Sequence, residues 1–118
     1  MNQEIRSCNV EDARKEIYLN PGYQLVDVRE QPEYDIVRIV NSLLIPLSTL
    51  QENYQCIDKE RPSYLMCGVG KRAMVAAQFL LSKGYTNIYV VEGGIKAWIN
   101  AGYAVVGDKD KYLMMHSN

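Results

Sequence analysis

The sequence predicts an α/β domain with a central, mostly parallel sheet of about five strands and helices on both faces. Three observations lead there. Candidate strands and helices alternate along the chain. The strands are short apolar runs, the pattern of strands covered on both sides. The chain has 118 residues, the size of one domain, and its 47% apolar and 23% charged content is that of a folded globule rather than a disordered chain. A chain of this length buries about two-thirds of its unfolded surface, enough for a core without covalent or metal staples.

The elements follow in order. Asn9 is placed to cap a helix whose first turn holds Glu11 and Asp12. Val10, Ala13, Ile17 and Leu19 give that helix an apolar face, and Asn20-Pro21-Gly22 ends it. Residues 24–28 form a strand. Gln31-Pro32-Glu33-Tyr34 starts a helical turn, where proline is tolerated. Leu43-Leu44-Ile45 is a strand closed by Pro46, and Ser48 is expected to cap a helix over 49–54. Residues 63–66 form a strand and 68–71 a glycine-rich loop. The strongest helix spans 72–83, with Ala73, Ala76, Ala77, Leu80 and Leu81 in its favour and Gly84 at its end. Residues 88–91 form the next strand, Gly93-Gly94 turns the chain, and a helix over 95–100 stops near Gly102. The domain is taken as 1–107, followed by a polar C-terminal tail, 108–118, in which Tyr112-Leu113-Met114-Met115 is apolar enough to dock.

Charge and cysteine content exclude several function classes. Thirteen basic and 14 acidic residues leave a net charge of −1, without the basic excess of a nucleic-acid binder. The nine tyrosines are scattered and form no ladder for stacking bases. No apolar run approaches the roughly 20 residues of a membrane helix. Met1-Asn2-Gln3-Glu4-Ile5-Arg6 is unlike a signal peptide, so no membrane association and a cytoplasmic location are expected. The three cysteines are Cys8, Cys56 and Cys67, with no CxxC pair, and the one histidine, His116, falls in the tail. A disulfide framework and a zinc site are both disfavoured, and no metal or other cofactor is expected. His116 reads as a solvated tail residue.

The chemistry concentrates in Leu65-Met66-Cys67-Gly68-Val69-Gly70-Lys71-Arg72-Ala73, a strand running through a cysteine and a two-glycine loop into a helix. Ligands bind at such strand ends in open α/β sheets. Three readings compete. Gly68, Gly70 and Ala73 with Glu92 outline a dinucleotide fingerprint, but only 26 residues follow Glu92, too few for the rest of that fold. A phosphate-binding P-loop fails, because Arg72 follows Lys71 where Ser or Thr is needed. In the second reading Cys67 is a nucleophile. Gly68 and Gly70 let successive N–H groups turn inward, the helix start adds positive potential, and Lys71 and Arg72 add charge. Cysteines in such surroundings ionise below the ordinary thiol range and need no histidine base. In the third reading Cys67 is a small buried apolar residue, the usual state of a free cysteine and the reading kept for Cys8 and Cys56. Asp27 and Arg29, at a strand end near the loop, either orient it through an ion pair or tie loops together. Glu92 and Trp98 read as a loop anchor and a core or lid aromatic.

At these residues the chain resembles the rhodanese-like domain, the single-domain sulfurtransferase family, over about residues 4–106. Leu25-Val26-Asp27-Val28-Arg29-Glu30 looks like the family's first motif. Pro32-Glu33-Tyr34 through Ile45-Pro46-Leu47 occupies its second segment, residues 67–72 its active-site loop, and Val91-Glu92-Gly93-Gly94-Ile95-Lys96-Ala97-Trp98 its C-terminal signature. The resemblance implies a parallel sheet flanked by helices and transfer of a sulfane sulfur through a persulfide on Cys67. Gly68, Val69, Gly70, Lys71 and Arg72 would bind the persulfide and the donor's oxyanion, with Asp27 and Arg29 in support. The implied partners are a sulfur donor (thiosulfate or a protein persulfide), a thiol or cyanide acceptor, and a sulfur-carrier protein. Related phosphatases and arsenate reductases of the Cdc25 type use a Cys-x5-Arg loop, one residue longer than the loop here, and stand as the alternative enzyme class. A non-catalytic recognition module is the other alternative, although such modules typically lack the cysteine.

Two positions depart from the family pattern. Val37-Arg38-Ile39-Val40-Asn41-Ser42 stands where Gly-His-Ile-x-Gly-Ala is common, and Asn41 is expected to take the left-handed turn in place of glycine. Gly68 stands where thiosulfate-using members often carry Arg or Lys. That implies weak thiosulfate use and a preference for a larger donor such as a protein persulfide.

Overall fold

The computed structural model describes residues 5–117. Strand β1 (Arg6–Cys8) leads into helix α1 (Val10–Leu19), β2 (Gln24–Asp27) and α2 (Gln31–Ile36). The short strands β3 (Val37–Arg38) and β4 (Leu43–Leu44) follow, then α3 (Leu50–Asn53), β5 (Ser63–Met66) and α4 (Lys71–Ser82). The chain ends with β6 (Ile88–Val91), α5 (Gly94–Asn100), β7 (Val106–Gly107) and α6 (Lys109–Met115). Five strands form the central sheet in the order β1-β6-β5-β2-β4, with every neighbouring pair parallel. The expected fold class is therefore observed. The residues that follow β2, β5 and β6 emerge at one edge of the sheet, and all functional candidates cluster there.

Side-chain alternation along the strands divides the core into two layers. On one face, Val26, Val28, Leu65 and Cys67 pack against Ala73, Ala76, Ala77 and Leu80 of α4 and Leu50 of α3. On the other, Leu25, Tyr64 and Met66 pack against Ala13 of α1, Ile95 and Trp98 of α5, and Tyr112 of α6. Four alanine and leucine positions of α4 are fully buried, which is why that helix sits close to the sheet. Trp98 is a core residue whose indole N–H donates to the Ala104 carbonyl at 2.9 Å.

Local signals hold where side chains act on their own backbone. Asn9 caps α1 by accepting the Asp12 N–H at 2.8 Å. Asn41 takes the left-handed conformation at φ 65, as expected. Ser48, expected as a cap, lies in a 3-10 turn, and its hydroxyl donates to Glu30 Oε1 at 2.6 Å. The helix after it is a single turn, Leu50–Asn53, with 3-10 turns on both sides. The polar tail expected from residue 108 folds as α6, capped by Asp108, whose carboxylate accepts the Lys111 N–H at 3.0 Å. Three strands add to the sequence reading: β1 at the sheet edge, and the antiparallel pair β3 and β7, which holds the chain just before α6. Among the described residues no helix is long and apolar enough to cross a membrane.

A buried ion pair braces the edge where the site forms. The guanidinium of Arg29, fully buried, donates to both Asp27 carboxylate oxygens, with Nη2 to Oδ2 at 2.8 Å and Nε to Oδ1 at 3.0 Å. Nη2 also donates to the Val37 carbonyl at 2.6 Å, and Nη1 to the Glu33 carbonyl at 3.4 Å. The Tyr112 ring lies over the guanidinium, 5.2 Å from Cζ to the ring centroid. Burial acts to lower the Arg29 pKa, but the Asp27 hydrogen bond and charge outweigh it and raise it, so the guanidinium stays charged. Removing one partner strands a buried charge. Asp27→Ala is expected to lose about 3–5 kcal/mol in urea denaturation, whereas the apolar pair Asp27→Leu with Arg29→Met loses less than that single variant. An Asp27→Ala variant of unchanged stability would show that the pair is not a brace.

Candidate active site

The alternation that places Leu65 on the α4 face places Cys67 there too, at the start of α4. Its residue is 1% exposed. The Sγ accepts two backbone hydrogen bonds, from Gly70 N–H at 3.0 Å and Ala73 N–H at 3.3 Å. Gly70 makes this possible: at φ 105 it turns the chain back on the sulfur and serves as the N-cap of α4. The positive end of that helix faces the same atom. The sulfur is thus held by neutral dipoles, and no side-chain base is hydrogen-bonded to it among the described residues.

The two cations of the loop separate. Lys71 is exposed and borders a depression with Ser7, Met74 and Glu92, on the side of Val69 and Gly70. Arg72 forms a two-pronged pair with Glu33 of α2, Nη1 to Oε1 at 2.6 Å and Nη2 to Oε2 at 2.9 Å. Glu33 also accepts the Glu30 N–H at 3.2 Å and receives the Tyr112 hydroxyl at 3.5 Å, the outer limit for such a bond. Asp27 and Arg29, the expected supporting residues, touch this group through Tyr112 and the Glu33 backbone rather than through the loop. Val69 is the exposed tip of the loop.

The first turn of α5 holds the loop in place. Ile95 N–H donates to the Cys67 carbonyl at 2.8 Å and Lys96 N–H to the Gly68 carbonyl at 3.1 Å. Gly94, at φ 61, lies so close that a Cβ there would collide with the Cys67 carbonyl oxygen. Glu92 is exposed, and its backbone N–H, donating to the Cys8 carbonyl at 2.8 Å, does the anchoring that the sequence assigned to the residue.

Residues 9–101 match the family model of the rhodanese-like domain. The chain belongs to the rhodanese-like domain family. Over 75 residues it is 41% identical to the uncharacterized protein YqhL of Bacillus subtilis strain 168, covering 64% of this chain and 60% of that protein. Over 74 residues it is 34% identical to the thiosulfate sulfurtransferase GlpE of Coxiella burnetii, covering 63% of this chain and 69% of the relative. Among solved structures, a rhodanese-related protein from Thermoplasma volcanium superposes with a TM-score of 0.77 at 39% identity, over 86% of this chain and 97% of its own.

The departures from the family pattern have visible causes. Gly68 lies outside the left-handed region, so its role is spatial. A Cβ there would come within 3.0 Å of Arg72 Nη2 and 3.1 Å of the Tyr112 hydroxyl. Arg38 lies against the Tyr34 ring, 5.4 Å from Cζ to the centroid, and pairs with Val106 across β3 and β7. His116 is half-buried rather than a solvated tail residue, with its ring 4.4 Å from that of Tyr112. Sequence reasoning gave Glu33, Tyr112 and Lys96 no role at the site. The one signal for Tyr112 was the apolar patch in an otherwise polar segment.

The Glu33 carboxyl is pulled two ways. Burial raises its pKa, but the Arg72 and Glu30 hydrogen bonds and the Arg72 and Arg29 charges outweigh burial and hold it below the ordinary 4.5. A lowered carboxyl stabilises the fold fully above its unfolded pKa and loses that contribution as pH falls through the folded value. Urea midpoints of the wild type should therefore exceed those of Glu33→Gln at neutral pH. The gap should close only below about pH 4.5. A gap that is constant with pH would place the effect in packing rather than charge.

Proposed function

We propose that this rhodanese-like domain is a sulfurtransferase that carries a sulfane sulfur as a persulfide on Cys67. The observation that carries the reading is the cradle of Cys67: a buried sulfur that accepts two backbone N–H groups at 3.0 and 3.3 Å at the start of a 12-residue helix. A persulfide anion needs stabilising donors and no general base, and preorganised N–H groups are of that kind. The likeness to a thiosulfate sulfurtransferase at 34% identity supports the same class.

Each step balances. The Cys67 thiolate attacks the outer sulfur of the donor. The sulfur–sulfur bond of the donor breaks, and its electron pair leaves with sulfite if the donor is thiosulfate, or with a thiolate if it is a persulfide. Cys67 then carries the added sulfur as a persulfide anion. An acceptor thiolate or cyanide attacks that outer sulfur, and the Cys67 thiolate leaves. No oxidant or metal is required.

Intact mass spectrometry tests this directly. After incubation with thiosulfate or glutathione persulfide, the protein should gain one sulfur atom that cyanide removes, and Cys67→Ser should gain none. Peptide mapping should leave Cys8 unmodified. Its thiol is pushed up to about 11, first by burial and then by Asp12, Glu92 and Glu16, so almost none is thiolate at neutral pH. Sulfur located on Cys8 or Cys56, or no gain at all, would overturn the reading. The shorter loop and the engagement of Arg72 by Glu33 argue against phosphate chemistry. An aryl phosphate should accordingly turn over negligibly, and phosphatase turnover that requires Cys67 and exceeds sulfur transfer would move the protein to that class.

A further inference from the structure

Cys67 is closed in this structure. Its residue is 1% exposed and lines neither hollow that the cysteine loop borders. A sulfur that accepts an atom and passes it on has to be reached, so one of the elements around the loop must yield. Their anchoring differs widely. Helix α4 buries Ala73, Ala76, Ala77 and Leu80. Helix α5 buries Ile95, Trp98 and Ile99, and its first turn bonds the Cys67 and Gly68 carbonyls. Helix α2 is tied by Arg29 at the Glu33 carbonyl and by Arg72 at the Glu33 carboxylate. Helix α6 buries Tyr112 alone. Its N-terminal end is fixed, with Asp108 N–H donating to the Ile36 carbonyl at 2.8 Å. Its C-terminal end is held by Lys96 Nζ, which donates to the His116 carbonyl at 3.1 Å, while Met114 and Met115 stand exposed.

The weakly held helix is nevertheless fitted to the loop. Tyr112, Met115 and His116 face Gly68, Val69 and Arg72 across a pocket of about 310 Å³. A hollow of that size takes a small molecule but not a polypeptide. A Cβ at position 68 would stand 3.1 Å from the Tyr112 hydroxyl, so the docked helix leaves little room for a side chain there. Helix α6 also lies outside residues 9–101, the segment that matches the family model.

We propose that α6 is a lid that sets the size of the molecules able to exchange sulfur with Cys67. Docked, it leaves room for small donors and acceptors such as thiosulfate and cyanide. A thiol or persulfide carried on a polypeptide reaches the sulfur only when the C-terminal end of α6 swings away from Lys96, pivoting at Asp108. The proposal rests on the sulfurtransferase reading and adds no chemical step to it: the bonds formed and broken are those given above. It also qualifies the expectation that Gly68 favours a large donor, since such a donor has to displace α6.

Two neutral thiol reagents of different size read the lid without turnover. Iodoacetamide and a polyethylene-glycol maleimide are applied to the full chain, with the exposed Cys56 as internal reference in peptide maps. Relative to Cys56, the bulky reagent should disfavour Cys67 at least about tenfold more than the small one does, because a lid open a few per cent of the time scales the bulky rate by its open fraction. Met114→Pro breaks the last turn of α6 at an exposed position. It should remove most of that size difference and leave the iodoacetamide rate of Cys67 and the amide exchange of α4 unchanged. Met114→Ala should keep the difference, and Lys96→Met, which drops the bond to the His116 carbonyl, should reduce it in part. A purely structural helix, once broken, would move both reagents' rates and the α4 exchange together. In turnover, a persulfide loaded from glutathione persulfide should pass to reduced thioredoxin faster in Met114→Pro than in the wild type, and to cyanide at the same rate. If the wild type shows no size difference, if Met114→Pro and Lys96→Met both leave it in place, or if Met114→Pro does not speed transfer to the protein thiol, the proposal is refuted. If size selection follows α6 but Cys67 takes up no sulfur, the sulfurtransferase reading falls and the lid stands.

Discussion

The buried pair of Asp27 and Arg29 is the interaction on which the rest of this edge depends. A guanidinium taken fully out of water is tolerable only if its donors are nearly all used. Here they reach the carboxylate at the end of β2, the Glu33 carbonyl in α2 and the Val37 carbonyl at β3. One side chain thus fixes the position of α2 relative to the sheet. It also offers its flat face to Tyr112, which seats α6.

From that base the charges at the site are arranged in sequence. The position of α2 determines where Glu33 stands. Glu33 then engages Arg72 with two short bonds, which fixes the first turn of α4 and so the N–H groups that meet Cys67. The sulfur itself is held by dipoles rather than by a formal charge in direct contact. The division is physically sensible. Neutral donors stabilise an anion without competing for its protons, while the ionic groups around them supply rigidity.

Much of the fold was legible because the chain states it locally. Leu65 and Met66, Ala76 and Ala77, or Val90 and Val91 each have a neighbour with the same message, and the glycines mark where the chain turns. The elements that escaped share one property: their stability is borrowed from distant partners. β3 and β7 are two residues each and mean little until paired. β1 lies at the sheet edge with two of its three residues exposed, so no apolar run announces it. α6 carries Lys109, Asp110 and Lys111 toward solvent and relies on Tyr112 alone for full burial. At the site the cysteine loop was readable as one contiguous stretch. The fates of its two cations were not, because Glu33 lies 39 residues from Arg72 in sequence.

The stitching of the first turn of α5 to the carbonyls of Cys67 and Gly68 bears on how such a site can change over evolution. The cysteine loop is held at its first two residues by α5 and at its last by Glu33. An extra residue between those anchors must either bulge into the cradle or push Arg72 off its carboxylate. An extra residue at the cysteine itself would drive a side chain or carbonyl into Gly94. The length of the cysteine loop is therefore a shared property of the loop and the two helices, α2 and α5, that anchor it. A single inserted codon would disturb the N–H cradle of Cys67 unless α5 and Glu33 moved with it.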